Sequence, residues 1–170
     1  MRGLVILSHG LESGPQATKV SALADAAREL GWDEVRPDYL DIDATGDPMQ
    51  IDRRIERLLS HEPRDDRPLV LAGSSMGAFI SGFASLRMRV RGLFLMAPPL
   101  EIEGYPHHLD LASVPTEIVH GWHDELIPAD AVYAFAKARD AELHLVDDEH
   151  RLAAHVDYCA DRFADLLARL

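Results

Sequence analysis

The sequence predicts a three-layer α/β/α sandwich built on about six mostly parallel strands. Three observations carry that expectation. Short apolar runs alternate with helix-period segments from one end of the chain to the other. The runs are apolar on both faces, as strands covered by helices on either side require. No repeat or low-complexity tract interrupts the alternation, and 170 residues are enough for one domain with a sizeable core.

The elements follow in order. Residues 4–7 (LVIL) read as a buried strand. Val20, Leu23, Ala24, Ala27 and Leu30 then recur at i, i+3, i+4, i+7 and i+10, one face of a helix that Gly31 ends. Residues 35–40 form a weaker strand, and Pro37, which has no N–H to donate, suits a sheet edge. Asp47-Pro48 reads as an N-cap followed by proline at the first helical position, with Ile51, Ile55, Leu58 and Leu59 as that helix's buried stripe. Residues 69–72, 93–96 and 116–119 are further strands, and helical patterns over 76–88 and 128–139 follow the first and third of them. Residues 143–146 make the last strand, and Leu152, Val156, Cys159, Phe163, Leu166 and Leu170 mark the closing helix. Only residues 97–114, with three prolines and no period, read as a long irregular loop.

Composition narrows the function. A hydrophobic share of 47% is that of a folded globular chain, which excludes a disordered one. The formal net charge of −12, with no sustained Lys/Arg run, repels phosphate backbones and anionic lipid, so neither nucleic acid nor membrane is an expected partner. Cys159 is the only cysteine, which excludes an intrachain disulfide and a Cys-x-x-Cys knuckle, and its helical position marks it as a packed small hydrophobe. The first ten residues carry one Arg and a four-residue apolar run, too short for a signal peptide or a membrane span, so the cytoplasm is the expected compartment. His107 and His108 are adjacent, and neighbouring side chains rarely reach one ion; no metal site is expected.

In a parallel α/β sheet ligands sit beyond the carboxyl ends of the strands, so those ends hold the chemistry. After LVLA comes GSSMG, residues 73–77, and after it Phe79, Phe83 and Leu86, with small Ala78 and Gly82, form a helical face. A Gly-x-Ser-x-Gly pattern is short enough to arise by chance. Between a strand and a helix, though, it makes a sharp turn that presents the serine hydroxyl while the glycines relieve crowding. That geometry exposes Ser75 and leaves Ser74 a structural role. A serine hydroxyl needs a base, and the base needs a carboxylate to fix its tautomer. The next-to-last strand ends HGWHDELIP, with Asp124 just past it, and the last ends LVDDEHRL, with His150 before the closing helix. An isolated loop Asp is usually a solvated turn residue and an isolated His usually incidental, but all three residues at strand ends, in this order, are not. Asp147, Asp148 and Glu149 read as caps of the final helix; His155, within that helix, and His144, within a strand, are worse placed for a base. An oxyanion needs preorganised backbone N–H groups. Met76, after the serine, is expected to supply one; the other is expected from the first strand's loop, where the turn His9-Gly10 brings the backbone close and Leu11 follows. A plain strand-to-loop turn is the simpler reading of His9-Gly10.

With SHGLESGP, GSSMG, HGWHDELIP and DEHRL at these places, the chain resembles the α/β-hydrolase superfamily, specifically its small serine hydrolases without a cap domain. The resemblance covers essentially all of residues 1–170 as a single domain, and HGxxDxxxP, matched by residues 120–128, is its more specific part. It implies Ser75 as nucleophile, Asp124 as acid, His150 as base and the Leu11 and Met76 amides as oxyanion hole, with His9, Gly10, Gly73 and Gly77 shaping the supporting turns. The chain departs from the family by beginning at the strand that usually comes third, and no cap-sized insertion precedes the acid. Only the 97–114 loop, with Tyr105, His107 and His108, is placed to shade the site. The expected activity is a serine esterase or thioesterase acting on a modest-sized, small-molecule acyl substrate without a cofactor. A peptidase or amidase would use the same triad. A non-catalytic binding protein on this fold would typically have lost a triad member, and here all three are present.

Overall fold

In the computed structural model, which describes residues 2–47 and 50–170, each apolar run lies where two helical layers sandwich it. β1 (Leu4–Ser8), β3 (Leu69–Ser74), β4 (Gly92–Met96) and β5 (Thr116–Gly121) are buried at every position. β2 (Asp33–Val35) and β6 (Glu142–Val146) are the half-buried edges of a six-stranded, wholly parallel sheet of order β2-β1-β3-β4-β5-β6. Alternate residues feed opposite cores, because successive strand side chains point to opposite faces. Leu4 and Ile6 pack with the layer of α3 (Ile51–Leu59), α4 (Met76–Ser85) and α5 (Ala129–Ala138). Val5 and Leu7 pack with α1 (Thr18–Glu29) and α6 (Val156–Arg169), where Phe94 meets Phe163 at 5.3 Å between ring centres. A short α2 (Leu40–Asp43) precedes α3.

The structure corrects several boundaries. The edge strand is residues 33–35 rather than 35–40, since only Asp33, Glu34 and Val35 lie in register with Leu4, Val5 and Ile6. Beyond Val35 the chain leaves the ladder, buries Tyr39 and turns into α2, which the apolar pattern does not announce. Pro48 lies outside the described residues; α3 begins at Ile51 with Gln50 as its N-cap. The closing helix starts at Val156, because Leu152 is held buried in a left-handed conformation (φ 53°) and a 3₁₀ turn, Ala153–His155, follows it. His155 therefore precedes α6. Residues 97–115 contain no helix or strand. In that loop Tyr105 stacks edge-on with His107, packs edge-on against Phe79 and Phe83 and donates its hydroxyl to Asp52 Oδ1 at 2.7 Å, which ties the loop to α3 and α4.

Candidate active site

The turn from β3 into α4 places Ser75 at φ 53°, ψ −117°, a conformation that L-residues avoid, and its N–H is tied to the Met96 carbonyl at 2.9 Å. The strain is imposed by close packing around the serine. A Cβ at Gly77 would lie 2.0 Å from the Ser8 carbonyl oxygen, and one at Gly73 would lie 2.3 Å from the Gly77 backbone. Both obstacles are main chain and cannot rotate aside, so only glycine lets α4 start this near the ends of β1 and β3. Ser74 ends β3 and is buried.

The loops after β5 and β6 bring the other two predicted residues to Ser75. Ser75 Oγ lies 2.9 Å from His150 Nε2, and His150 Nδ1 lies 2.7 Å from Asp124 Oδ2. A carboxylate only accepts, so Nδ1 carries the ring proton and Nε2 is left to accept from the serine hydroxyl. Asp124 is itself held: its Oδ1 accepts the Leu126 N–H at 2.8 Å and the Ile127 N–H at 2.7 Å, and its side chain is wholly buried. The acidic residues before α6 turn elsewhere. Asp147 accepts from His123 Nε2 at 2.8 Å, and Asp148 Oδ2 accepts the Ala154 N–H and His155 Nδ1. Burial works against the Asp148 carboxylate, but the His155 bond and the backbone donors of Glu149 and Ala154 outweigh it and hold its carboxyl below the usual range.

Three supports surround these residues: the sequence marks His120 and Gly121 as motif positions and His9 as a turn residue, but not the contacts that give them their roles. Gly121 is one: a Cβ there would lie 2.3 Å from the Asp148 carbonyl oxygen, so glycine allows the β5 end to approach the loop that carries His150. His120 is another. Its Nε2 donates to the Ile127 carbonyl at 2.9 Å and stands 3.4 Å from Asp124 Oδ2, closing the turn around Asp124. Burial pushes the His120 imidazole below its ordinary value of 6.5, against the raising effects of the Ile127 bond and Asp124. The folded state therefore resists a proton that the unfolded chain accepts. His120 leaves stability intact above pH 6.5 and erodes it as the pH falls below that value. Thermal melts between pH 7.5 and 5 should show this fall, and His120→Gln, which keeps a donor but does not titrate, should flatten it. An unchanged slope in that variant would assign the fall to other groups.

The third support lies under the loop after β1. Tyr39 N–H donates to His9 Nε2 at 3.0 Å, and Gly14 N–H donates to His9 Nδ1 at 3.2 Å, a nitrogen that also lies 2.6 Å from the Gly10 carbonyl oxygen. The Tyr39 hydroxyl meets Ser8 Oγ at 2.9 Å, and burial pushes that phenol up and keeps it neutral. Further along, Glu12 N–H donates to Asp43 Oδ2 at 2.9 Å while Asp43 Oδ1 accepts from Arg54 at 2.6 Å; both members of that ion pair are buried. These contacts hold the loop on either side of Leu11, whose own N–H meets no acceptor among the described residues and whose side chain is exposed. Met76 is the first residue of α4, where backbone N–H groups have no intrahelical partner.

A family model described as an alpha/beta hydrolase domain matches residues 1–161. No curated protein matches the chain. Among solved structures, a candidate hydrolase of the alpha/beta superfamily from Xanthomonas campestris pv. campestris is 49% identical, with a TM-score of 0.93 over 99% of this chain and 100% of that one. A structure described as an alpha-beta serine hydrolase homologue, from Coxiella burnetii, is 25% identical, with a TM-score of 0.71 over 98% of this chain and 86% of the other. An esterase from Pyrococcus furiosus shares the fold at 15% identity, with a TM-score of 0.73 over 99% and 82% of the two chains. The parallel sheet, the strained serine turn between β3 and α4 and this full-length likeness have one common source: the chain belongs to the alpha/beta hydrolase family.

Proposed function

We propose that the chain is a serine esterase or thioesterase that acts on a modest-sized acyl substrate in the cytoplasm. The observation that carries this reading is the unbroken hydrogen-bonded chain from Ser75 Oγ through His150 to the buried Asp124. In the proposed reaction Ser75 Oγ attacks the acyl carbon as its proton passes to His150 Nε2, and Asp124 stabilises the imidazolium so formed. The oxyanion is met by the Met76 and Leu11 N–H groups. His150 returns the proton to the leaving alcohol or thiol, and the acyl-enzyme forms. Water, deprotonated by the same imidazole, then releases the acid and restores the serine. Side chains and backbone amides supply every proton and charge this needs, so no cofactor enters. Leu11, Trp122 and Leu126 stand exposed on the loops that carry the proposed donor and acid, an apolar rim suited to an acyl group. The hydrolase descriptions of the Xanthomonas and Coxiella proteins point the same way.

A fluorophosphonate probe and a panel of matched short-chain esters, thioesters and amides test the proposal. Stoichiometric labelling with ester or thioester turnover is expected. Labelling with faster amide turnover would make the protein an amidase, and no labelling with no turnover would make it a binding protein. For the oxyanion hole, Leu11→Ala should keep most of the turnover, whereas Leu11→Pro removes the N–H and should lower kcat by about 10²–10³-fold. Proline also restricts Gly10, so circular dichroism must first show a folded variant. Equal rates in the two variants would move the second donor elsewhere in the loop.

A further inference from the structure

Three side chains on the edge of the sheet remain without a role in the proposed reaction. Glu117 lies on β5, and Glu142 and His144 lie on β6. One ligand atom from each, Glu117 Oε2, Glu142 Oε1 and His144 Nε2, falls within 4.8 Å of the others. His144 Nε2 is 3.4 Å from the first and 3.2 Å from the second. Neither approach is a hydrogen bond: Glu117 Oε2 and His144 Nε2 are both buried with no hydrogen-bond partner among the described residues. Glu117 itself is only 1% exposed. A buried carboxylate oxygen without a donor is costly, and burial together with the neighbouring Glu142 charge pushes the Glu117 carboxyl up.

We propose that Glu117 Oε2, Glu142 Oε1 and His144 Nε2 form a structural binding site for a divalent cation of the zinc type. Tetrahedral bonds of about 2.0–2.1 Å put neighbouring ligand atoms about 3.3 Å apart, close to the spacings from His144 to both carboxylates. One imidazole and two carboxylates are donors that suit zinc rather than calcium or magnesium. The remaining atom of each ligand is already held. Arg169 bonds Glu117 Oε1 and reaches Glu142 Oε2 at 3.4 Å, and the Tyr158 hydroxyl lies 3.0 Å from His144 Nδ1. That hydroxyl, accepting the Nδ1 proton, fixes the tautomer that leaves Nε2 free to ligate. Glu142 is half-exposed, so the ion can arrive from solvent. The ladder runs from the Glu117–Glu142 pair to the Gly121–Val146 pair, beyond which Asp124 and His150 stand. The carboxylates thus begin the ladder about 13 Å along the strands from its reactive end. The ion would clamp β5 to β6 and take no part in hydrolysis.

Equilibrium dialysis of the chelator-treated full chain against zinc chloride, with thermal melting in parallel, tests the site. The parent should bind one zinc per chain, and its melting temperature should rise by roughly 5–10 °C at a hundredfold excess over Kd. His144→Ala and Glu117→Gln should each weaken binding by at least about tenfold and erase the rise. Glu142→Gln, at a half-exposed position that leaves the core intact, should do the same if either of those variants fails to fold. Ester turnover should be the same with and without zinc. A parent that binds no zinc, or variants that bind it as the parent does, would reduce the cluster to an ion-pair network around Arg169.

Discussion

Ser75→Ala is expected to remove hydrolysis of a short-chain ester almost entirely, by about 10⁶-fold in kcat, while circular dichroism and the melting temperature stay those of a folded protein. His150→Ala should cost a similar factor, because the proposed nucleophile and base act as one unit. Asp124→Asn should cost about 10⁴-fold, since an amide at that position favours the imidazole tautomer with its proton on Nε2, facing the serine. Backbone geometry adds a second readout. Ser75 sits at φ 53°, where glycine is at ease and alanine is not. Ser75→Gly should be as inactive as Ser75→Ala but more stable than it by roughly 1 kcal/mol in urea unfolding. A Ser75→Ala enzyme with parental turnover would end the nucleophile assignment. If Asp148 proved indispensable and Asp124 dispensable, the acid would be reassigned.

Asp43→Ala should lower stability by about 3–5 kcal/mol, because it strands the Arg54 guanidinium in the interior without its counter-ion. Both side chains are almost wholly buried; Asp43 accepts from Arg54 Nη1, and Arg54 Nε and Nη2 have no acceptor among the described residues. For a chain of this length that loss lowers the melting temperature by roughly 6–20 °C. The double variant Asp43→Ala/Arg54→Met removes the charge as well and should recover part of the deficit, since replacing both ions of a buried pair with apolar groups costs little. The double variant should still lose turnover, because Glu12 N–H no longer has the Asp43 oxygen that holds the loop beside Leu11. A single variant that melts within 1–2 °C of the parent would show that water reaches Arg54 and that the pair is not a buried one.

Much of the fold was legible because its signals are local. Runs such as LVIL and LVLA are apolar at every position only if both faces are covered, and the spacing of Val20, Leu23, Ala24 and Ala27 describes a helix before any partner is known. Boundaries were less legible. Residues 33–35 include only one apolar residue, Val35, and become a strand because β1 offers them a ladder, while residues 36–40 leave it to build the support under the loop after β1. Leu152 matches the helical period of α6 but is held in a left-handed turn by the path from β6.

Neighbouring residues carry the alternation of elements, and with it the placement of Ser75, Asp124 and His150 after the third, fifth and sixth strands, because strand, turn and helix signals are local. Only the tertiary structure decided the distances: the 2.9 and 2.7 Å links among those side chains, the Gly121 approach to Asp148, the Arg54–Asp43–Glu12 brace and the meeting of Glu117, Glu142 and His144. These joins link residues far apart in the chain or on different elements, and no local periodicity encodes them. They follow from strand register and close packing, which bring a residue's partners to it only after the sheet has formed.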